Sequence, residues 1–471
     1  MPTVPRAKSR EQQSNHRGYN RQSLSTGLPA QGSLVARIGK IQAREVLDSR
    51  GSPTIEVEVW LRDGACGRAI IPSGASTGKA EALELRDGDQ RRYLGRGVQQ
   101  AIANVKQEIA PALQGFEAFD QFSIDTRLKT LDGTPNKQRL GANALLGASL
   151  AVARASAASA RLPLYRYLGG AEANELPVPM VNILSGGAHG GRNVDFQDFL
   201  VIPLRAQTYA GALLDVVGVF CAMKVVLESQ GVYPAGVADE GGYAPLLKSN
   251  QTGFELMVEA LERAGLRPGR DAAIAVDVAA SQFCADGIYN LSCEKTVLRS
   301  GELVNRLEAW VGLYPLLSIE DGLAEEDWAG WRSLTDRLGG RCQVLGDDLF
   351  ATSYERLTRG IRGGVANAVL VKMNQAGTLT ETLEVMDLAR RNGYRTVVSA
   401  RSGETEDDSL ADLAVATGAS QIKIGAITRS ERLAKYNRLV RIEEELGDRA
   451  TYRGSEVFED FLKKQGARSK K

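Results

Sequence analysis

Histidine is nearly absent from this chain: two residues in 471, His16 and His189. A histidine-rich zinc centre is thereby excluded, and any Ser–His–Asp triad would have to use His189. Cysteine is sparse too. Cys66, Cys221, Cys284, Cys293 and Cys342 are odd in number, scattered, and form no Cys-x-x-Cys pair. That pattern fits reduced thiols in a cytoplasmic compartment, with neither a disulfide framework nor a thiolate metal site. An excess of one charge is also missing. The net charge is +1, where a nucleic-acid-binding domain is normally strongly basic. No apolar run reaches the roughly 18–20 residues of a membrane span, and no signal-peptide core follows Met1. What remains is an ordinary globular composition, 43% hydrophobic and 24% charged. Catalysis at neutral pH would have to run on carboxylates, lysines and hard metals.

The length allows two or three domains. Residues 1–36 carry Arg6, Lys8, Arg10, Arg17 and Arg21 against one acid, Glu11, and lack core periodicity. They read as a disordered basic tail, with a cleaved transit peptide as the alternative. From Ile38 to Arg62, two strands flank an Asp-Ser-Arg-Gly turn, and Ile55, Val57, Val59 and Leu61 show the two-residue period of a half-buried strand. Val98, Ile102, Val105 and Ile109 follow at helical spacing, and 140–161 reads as a small-residue helix. These elements predict an α+β capping domain over 37–175, ending near the Pro-rich 176–180. Beyond it, short apolar runs recur about every 25 residues between amphipathic stretches, which predicts a parallel sheet closed as a (β/α) barrel over 176–455. Residues 456–471 read as a second basic tail. The predicted fold class is α/β, a modified (β/α)8 barrel of the TIM type with an N-terminal cap.

A polar or charged residue ends each run: Asp277, Glu320–Asp321, Asp347–Asp348, Lys372, Arg401–Ser402 and Lys423. A barrel sends the carboxyl ends of its parallel strands to one face, so acids and lysines would converge on one mouth. One acid after a strand is commonly a helix cap; six successive ionisable strand ends are harder to explain that way. Lys372 and Lys423 stand out because lysine, unlike arginine, can lose its proton in a suitable environment. Several carboxylates with open coordination positions suit Mg²⁺. The competing reading is an acidic rim neutralised by nearby lysines and arginines. Two Gly-rich loops, 72–89 and 185–199, and the segment DEGGYAP at 239–245 complete the inventory. A Walker A reading of the first loop fails, because its spacing is one residue short and Ala80 replaces the required Ser or Thr.

Together these motifs resemble enolase, the phosphopyruvate hydratase family. The markers are DSRG at 48–51, PSGASTG at 72–78, EALELRDGD at 81–89, DEGGYAP at 239–245, SIEDGL at 318–323, GDDLF at 346–350, RSGETED at 401–407 and AKYNRLVRIEE at 434–444. The resemblance spans about residues 38–447. It implies a Mg²⁺-dependent hydro-lyase acting on a small phosphorylated hydroxy acid, 2-phosphoglycerate. By resemblance, Asp277, Glu320 and Asp347 bind one Mg²⁺, and Ser76 helps bind a second that arrives with substrate. Lys372 is the base at C2 and Glu240 the acid at the departing C3 hydroxyl. Lys423 contacts the substrate carboxylate, Arg401 and Ser402 its phosphate, and His189, Gln197 and Asp198 belong to the pocket. The family also implies a homodimer or homo-octamer, while the balanced charge and the lack of a span-length run predict no nucleic-acid or membrane partner.

Two positions depart from the family pattern. Asp198 stands where the family usually has Glu, and Ala400 where it has His. The shorter acid and the emptied position leave two alternatives. One is a paralogue resembling carboxyphosphonoenolpyruvate synthase, acting on a modified 2-phosphoglycerate in phosphonate antibiotic biosynthesis. The other is a catalytically impaired binding or scaffold protein.

Overall fold

A computed structural model describes residues 36–74, 78–232 and 237–468. Ser76, residues 1–35 of the expected basic tail and the last three residues lie outside the described set.

The alternating segment after Ile38 forms an antiparallel sheet of β1 (Ile38–Leu47), β2 (Pro53–Leu61) and β3 (Cys66–Ile70). Ile55, Val57 and Val59 are fully buried against the small-residue helix α1 (Ala142–Ser159). Alanine and glycine are needed here because the backbones nearly touch: a Cβ on Gly67 would lie 2.2 Å from the Ala151 carbonyl oxygen. The cap is bonded to the second half of the chain. Arg154 on α1 reaches Asp407 and Asp408, and Ser73 and Gly403 exchange two backbone hydrogen bonds of 2.8 and 2.9 Å. That exchange holds the start of the 74–81 segment against the Arg401–Gly403 turn.

Eight strands close a barrel in sequence order: β4 (Val178–Ser185), β5 (Asp198–Pro203), β6 (Ala272–Asp277), β7 (Leu316–Glu320), β8 (Gln343–Gly346), β9 (Ala368–Val371), β10 (Arg395–Ser399) and β11 (Gln421–Gly425). The sheet is not all parallel: β5 runs antiparallel to both β4 and β6. The first crossover is therefore replaced by a hairpin connection, the Gly-rich 186–197 loop, which joins β4 to β5 at the mouth. Helices α2 (Tyr209–Ser229) and α3 (Asn250–Arg263), with N-caps Thr208 and Ser249, then connect β5 to β6. Before α3, the described residues 237–249 place Glu240 at the mouth. There the Glu240 carbonyl accepts the N–H of Ala426, just past β11.

The expectation of no span-length apolar segment needs one amendment. Among the described residues, α2 is long and apolar enough to cross a membrane by length and composition. Half of its most apolar window is buried, and it packs on α3, β4 and β5, the position of a core helix.

The 456–471 stretch also differs from the expected tail. Val457, Phe458 and Phe461 are buried with Met180, Leu200, Ile202 and Leu370 in the barrel interior, and the helix Glu459–Arg468 follows. Three apolar residues among many charges were hidden by the segment's basic composition. Arg395, at the start of β10, donates to the Val457 carbonyl, and Gln465 donates to that of Leu316, at the start of β7. The segment therefore closes the end of the barrel opposite the mouth. Phe458→Ala is expected to cost about 3–5 kcal/mol of stability. Chemical denaturation measures it, and a loss under 1 kcal/mol would mean the plug is not part of the folded core.

Candidate active site

The strand ends converge as barrel geometry requires. His189, Gln197, Glu240, Asp277, Asp347, Lys372, Arg401, Ser402 and Lys423 all line one cavity at the mouth. Two of the positions do not match the simple rule that functional residues follow parallel strands. Lys423 is the third of five residues in β11, not a residue beyond its end. Asp198 begins β5, and because that strand is antiparallel, its first residue lies at the mouth.

Lys423 Nζ lies 2.8 Å from Asp277 Oδ2 and 2.8 Å from both carboxylate oxygens of Glu320. Lys372 Nζ lies 2.5 Å from Asp347 Oδ2. Each expected metal-binding acid therefore has a lysine partner here. Burial alone would lower both lysine pKa values. The facing carboxylates outweigh it, Asp347 at Lys372 and Asp277 with Glu320 at Lys423, and both are raised. Buried acids thus face each ammonium and favour its charged form.

The donor set suits a divalent cation. Six carboxylates (Glu81, Glu240, Asp277, Asp321, Asp347, Asp348) line the cavity with three basic residues, Lys372, Arg401 and Lys423. An oxygen-only, acid-rich set fits Mg²⁺ and gives no soft ligands. Asp321, Asp347 and Asp348 also place one oxygen each within 4.8 Å of one another.

Asp198 does not line the cavity. It is fully buried behind His189, accepting from Asn182 Nδ2 at 2.5 Å and Ser185 Oγ at 2.9 Å, with His189 Nδ1 at 3.2 Å. From there it orients the imidazole through this contact. Burial would lower the His189 pKa, but Asp198 and Glu240 raise it. Glu240 Oε1 lies 3.9 Å from the same nitrogen. Ala400 lines the cavity too, its backbone N–H fixed to the Lys423 carbonyl at 2.9 Å.

Several working parts were given no role by the sequence, although Asp321 was among its strand-end acids. Asp321 accepts the backbone N–H groups of Asp347 and Asp348 at 2.9 and 2.8 Å, fixing the turn that presents them. Gln375 donates to Asp347 Oδ1 at 3.0 Å while accepting from Thr352. Gln282 holds the Ala188 N–H and donates to Gln197, whose own Nε2 reaches Asp277 at 2.9 Å. Glu81 makes a buried ion pair of 2.8 Å with Arg401. Asp321 and Glu81 lie inside the motifs SIEDGL and EALELRDGD, whereas Gln282 and Gln375 are amides outside every motif, and an amide announces no chemistry by its type. Backbone strain marks the same turns: Ala279, Asp321, Ala351 and Thr352 hold φ between 42° and 48°, each just past a site-bearing strand. Such conformations cost on the order of 1–3 kcal/mol each and persist where surrounding bonds enforce them.

A lysine, a carboxylic acid and a carboxylate-rich cation site gathered at the mouth of a capped barrel define an acid–base lyase of the metal-assisted kind. Comparison with known proteins gives the particular family. The model of the enolase N-terminal domain matches residues 38–168, and that of the enolase C-terminal TIM barrel domain matches 173–461. The enolase of Acidothermus cellulolyticus is 57% identical over 427 residues, covering 91% of this chain and 99% of that protein. The chain belongs to the enolase family and is a hydro-lyase.

Proposed function

We propose that this enzyme removes water from 2-phosphoglycerate to give phosphoenolpyruvate, with Lys372 as base and Glu240 as acid. The observation that carries the reading is the convergence of Lys372, Glu240, Lys423 and Arg401 with the buried acids on one cavity. Lys372 Nζ takes the proton from C2, and the electron pair moves into the adjacent carboxylate. The pair then returns to form the C2–C3 double bond as the C3–O bond breaks, and Glu240 gives the proton that lets the oxygen leave as water. Lys423 binds the substrate carboxylate, where its positive charge favours the extra negative charge that develops. Arg401 and Ser402 hold the phosphate, and His189 and Gln197 complete the pocket.

Asp277, Glu320 and Asp347 would hold Mg²⁺, and a second ion would arrive with substrate beside the segment containing Ser76. Bound there, Mg²⁺ supplies charge neutralisation for the carboxylate dianion. Lysine as base with one or two Mg²⁺ ions is the general pattern for this superfamily. Neither the phosphonate-pathway alternative nor the scaffold alternative gains support from the relatives. A cytoplasmic location accords with five cysteines that are all free. The assembly we propose is a homodimer or homo-octamer, which light scattering decides.

Added Mg²⁺ is expected to raise the unfolding midpoint, by about 2.7 kcal/mol of stability at a hundred times its Kd. Asp347→Asn should lose most of that increment. No Mg²⁺-dependent rise in the wild type would contradict the metal assignment.

A further inference from the structure

The motif EALELRDGD enters the site through its first residue. Glu81 follows the Gly-rich segment of the cap and reaches across to the barrel, with its side chain only 6% exposed. Oε1 accepts the Gly78 N–H at 2.9 Å and Gln375 Nε2 at 3.3 Å. Oε2 accepts Arg401 Nη1 at 2.8 Å, and the Arg401 side chain is 4% exposed. The same Nη1 also has Asn374 Oδ1 at 3.5 Å. Asp347 and Glu84 add further negative potential at this guanidinium.

A phosphate that binds Arg401 therefore meets a carboxylate already on it. In a buried site the two anions repel across a few ångströms with little solvent screening. A guanidinium has five N–H donors, so it can hold both groups, but the charge of one opposes the other. We propose that Glu81 is a positioning residue that acts through Arg401 as a built-in competitor for phosphate. Its carboxylate aims the guanidinium and, by its charge, weakens the hold of the site on phosphorylated ligands, which favours product release. The inference rests on the reading of Arg401 as a phosphate-binding residue.

The test is inorganic phosphate, titrated by calorimetry onto the full-length Mg²⁺-loaded protein without substrate and used as an inhibitor of 2-phosphoglycerate turnover. Glu81→Gln keeps the shape and removes the charge; it is expected to bind phosphate about tenfold tighter, an effect of the size that one neighbouring charge produces. Its KM should fall, and its kcat should fall with it as product leaves more slowly. Glu81→Ala should shift phosphate binding in the same direction. Glu81→Asp, which keeps the charge, should stay within about threefold of wild type. General damage to the site would weaken anion binding, so a gain separates competition from a structural role. Unchanged or weaker phosphate binding in both Glu81→Gln and Glu81→Ala would overturn the inference. Arg401→Gln decides the underlying reading separately: phosphate binding that survives this change would remove Arg401 as the phosphate residue, and the proposal with it.

Discussion

Lys372→Ala is expected to abolish exchange of the C2 proton of 2-phosphoglycerate with solvent and to lower turnover by about 10²–10⁴-fold. The reason lies in position as much as chemistry. Lys372 directly follows β9, its backbone N–H is held by Thr352 Oγ1 at 3.0 Å, and its ammonium sits among the acids of the mouth. Asp347 raises the Lys372 pKa, so the lysine must be relieved of that carboxylate before it can accept a proton. Asp277, Glu320 and Asp347 would hold the Mg²⁺, and a cation on Asp347 would weaken its pull on the ammonium. Deuterium incorporation followed by NMR reads the exchange. Retained exchange in a folded Lys372→Ala protein would remove Lys372 as base.

Glu240→Gln should separate the two halves of the reaction. The amide keeps the size of the side chain, and the backbone bond from Ala426 to the Glu240 carbonyl does not depend on it. Without an acidic proton beside C3, dehydration is expected to fall by about 10²–10⁴-fold. Exchange at C2 should persist, because it needs only Lys372 and the stabilised carboxylate. Loss of exchange to the same degree as dehydration would place Glu240 on the proton-abstraction step instead. Full dehydration activity would remove it as the acid.

The fold was legible where periodicity is unambiguous. The alternation of Ile55, Val57 and Val59 gave β2, and the regular apolar runs gave β6 to β11. The first two barrel strands escaped because Pro177 and Pro179 read as a boundary and the Gly-rich 185–199 stretch read as a loop that took in the start of β5. Pro179 in fact lies inside β4, beside Ile422. Missing the antiparallel β5 also hid why Asp198, at a strand start, shares the mouth with residues at strand ends. The site was legible where residue type carries chemistry, as with Lys372 and the acids at strand ends. It was less so where function depends on support. Asp321 fixes Asp347 and Asp348 through backbone N–H groups, and Gln375 through a side-chain amide, contacts that no spacing rule announces. Asp198 was placed in the pocket by motif, whereas burial puts it behind His189. The near-absence of histidine was informative in a similar way: the one histidine among the described site residues is buried, and Asp198 and Glu240 raise its pKa against that burial.

The most direct test of the central claim is release of phosphoenolpyruvate from 2-phosphoglycerate, followed by its enol absorbance, before and after removal of divalent cations. The account predicts turnover that chelation abolishes and Mg²⁺ restores. Turnover that survives chelation, or a folded Mg²⁺-loaded protein that leaves 2-phosphoglycerate intact, would contradict it.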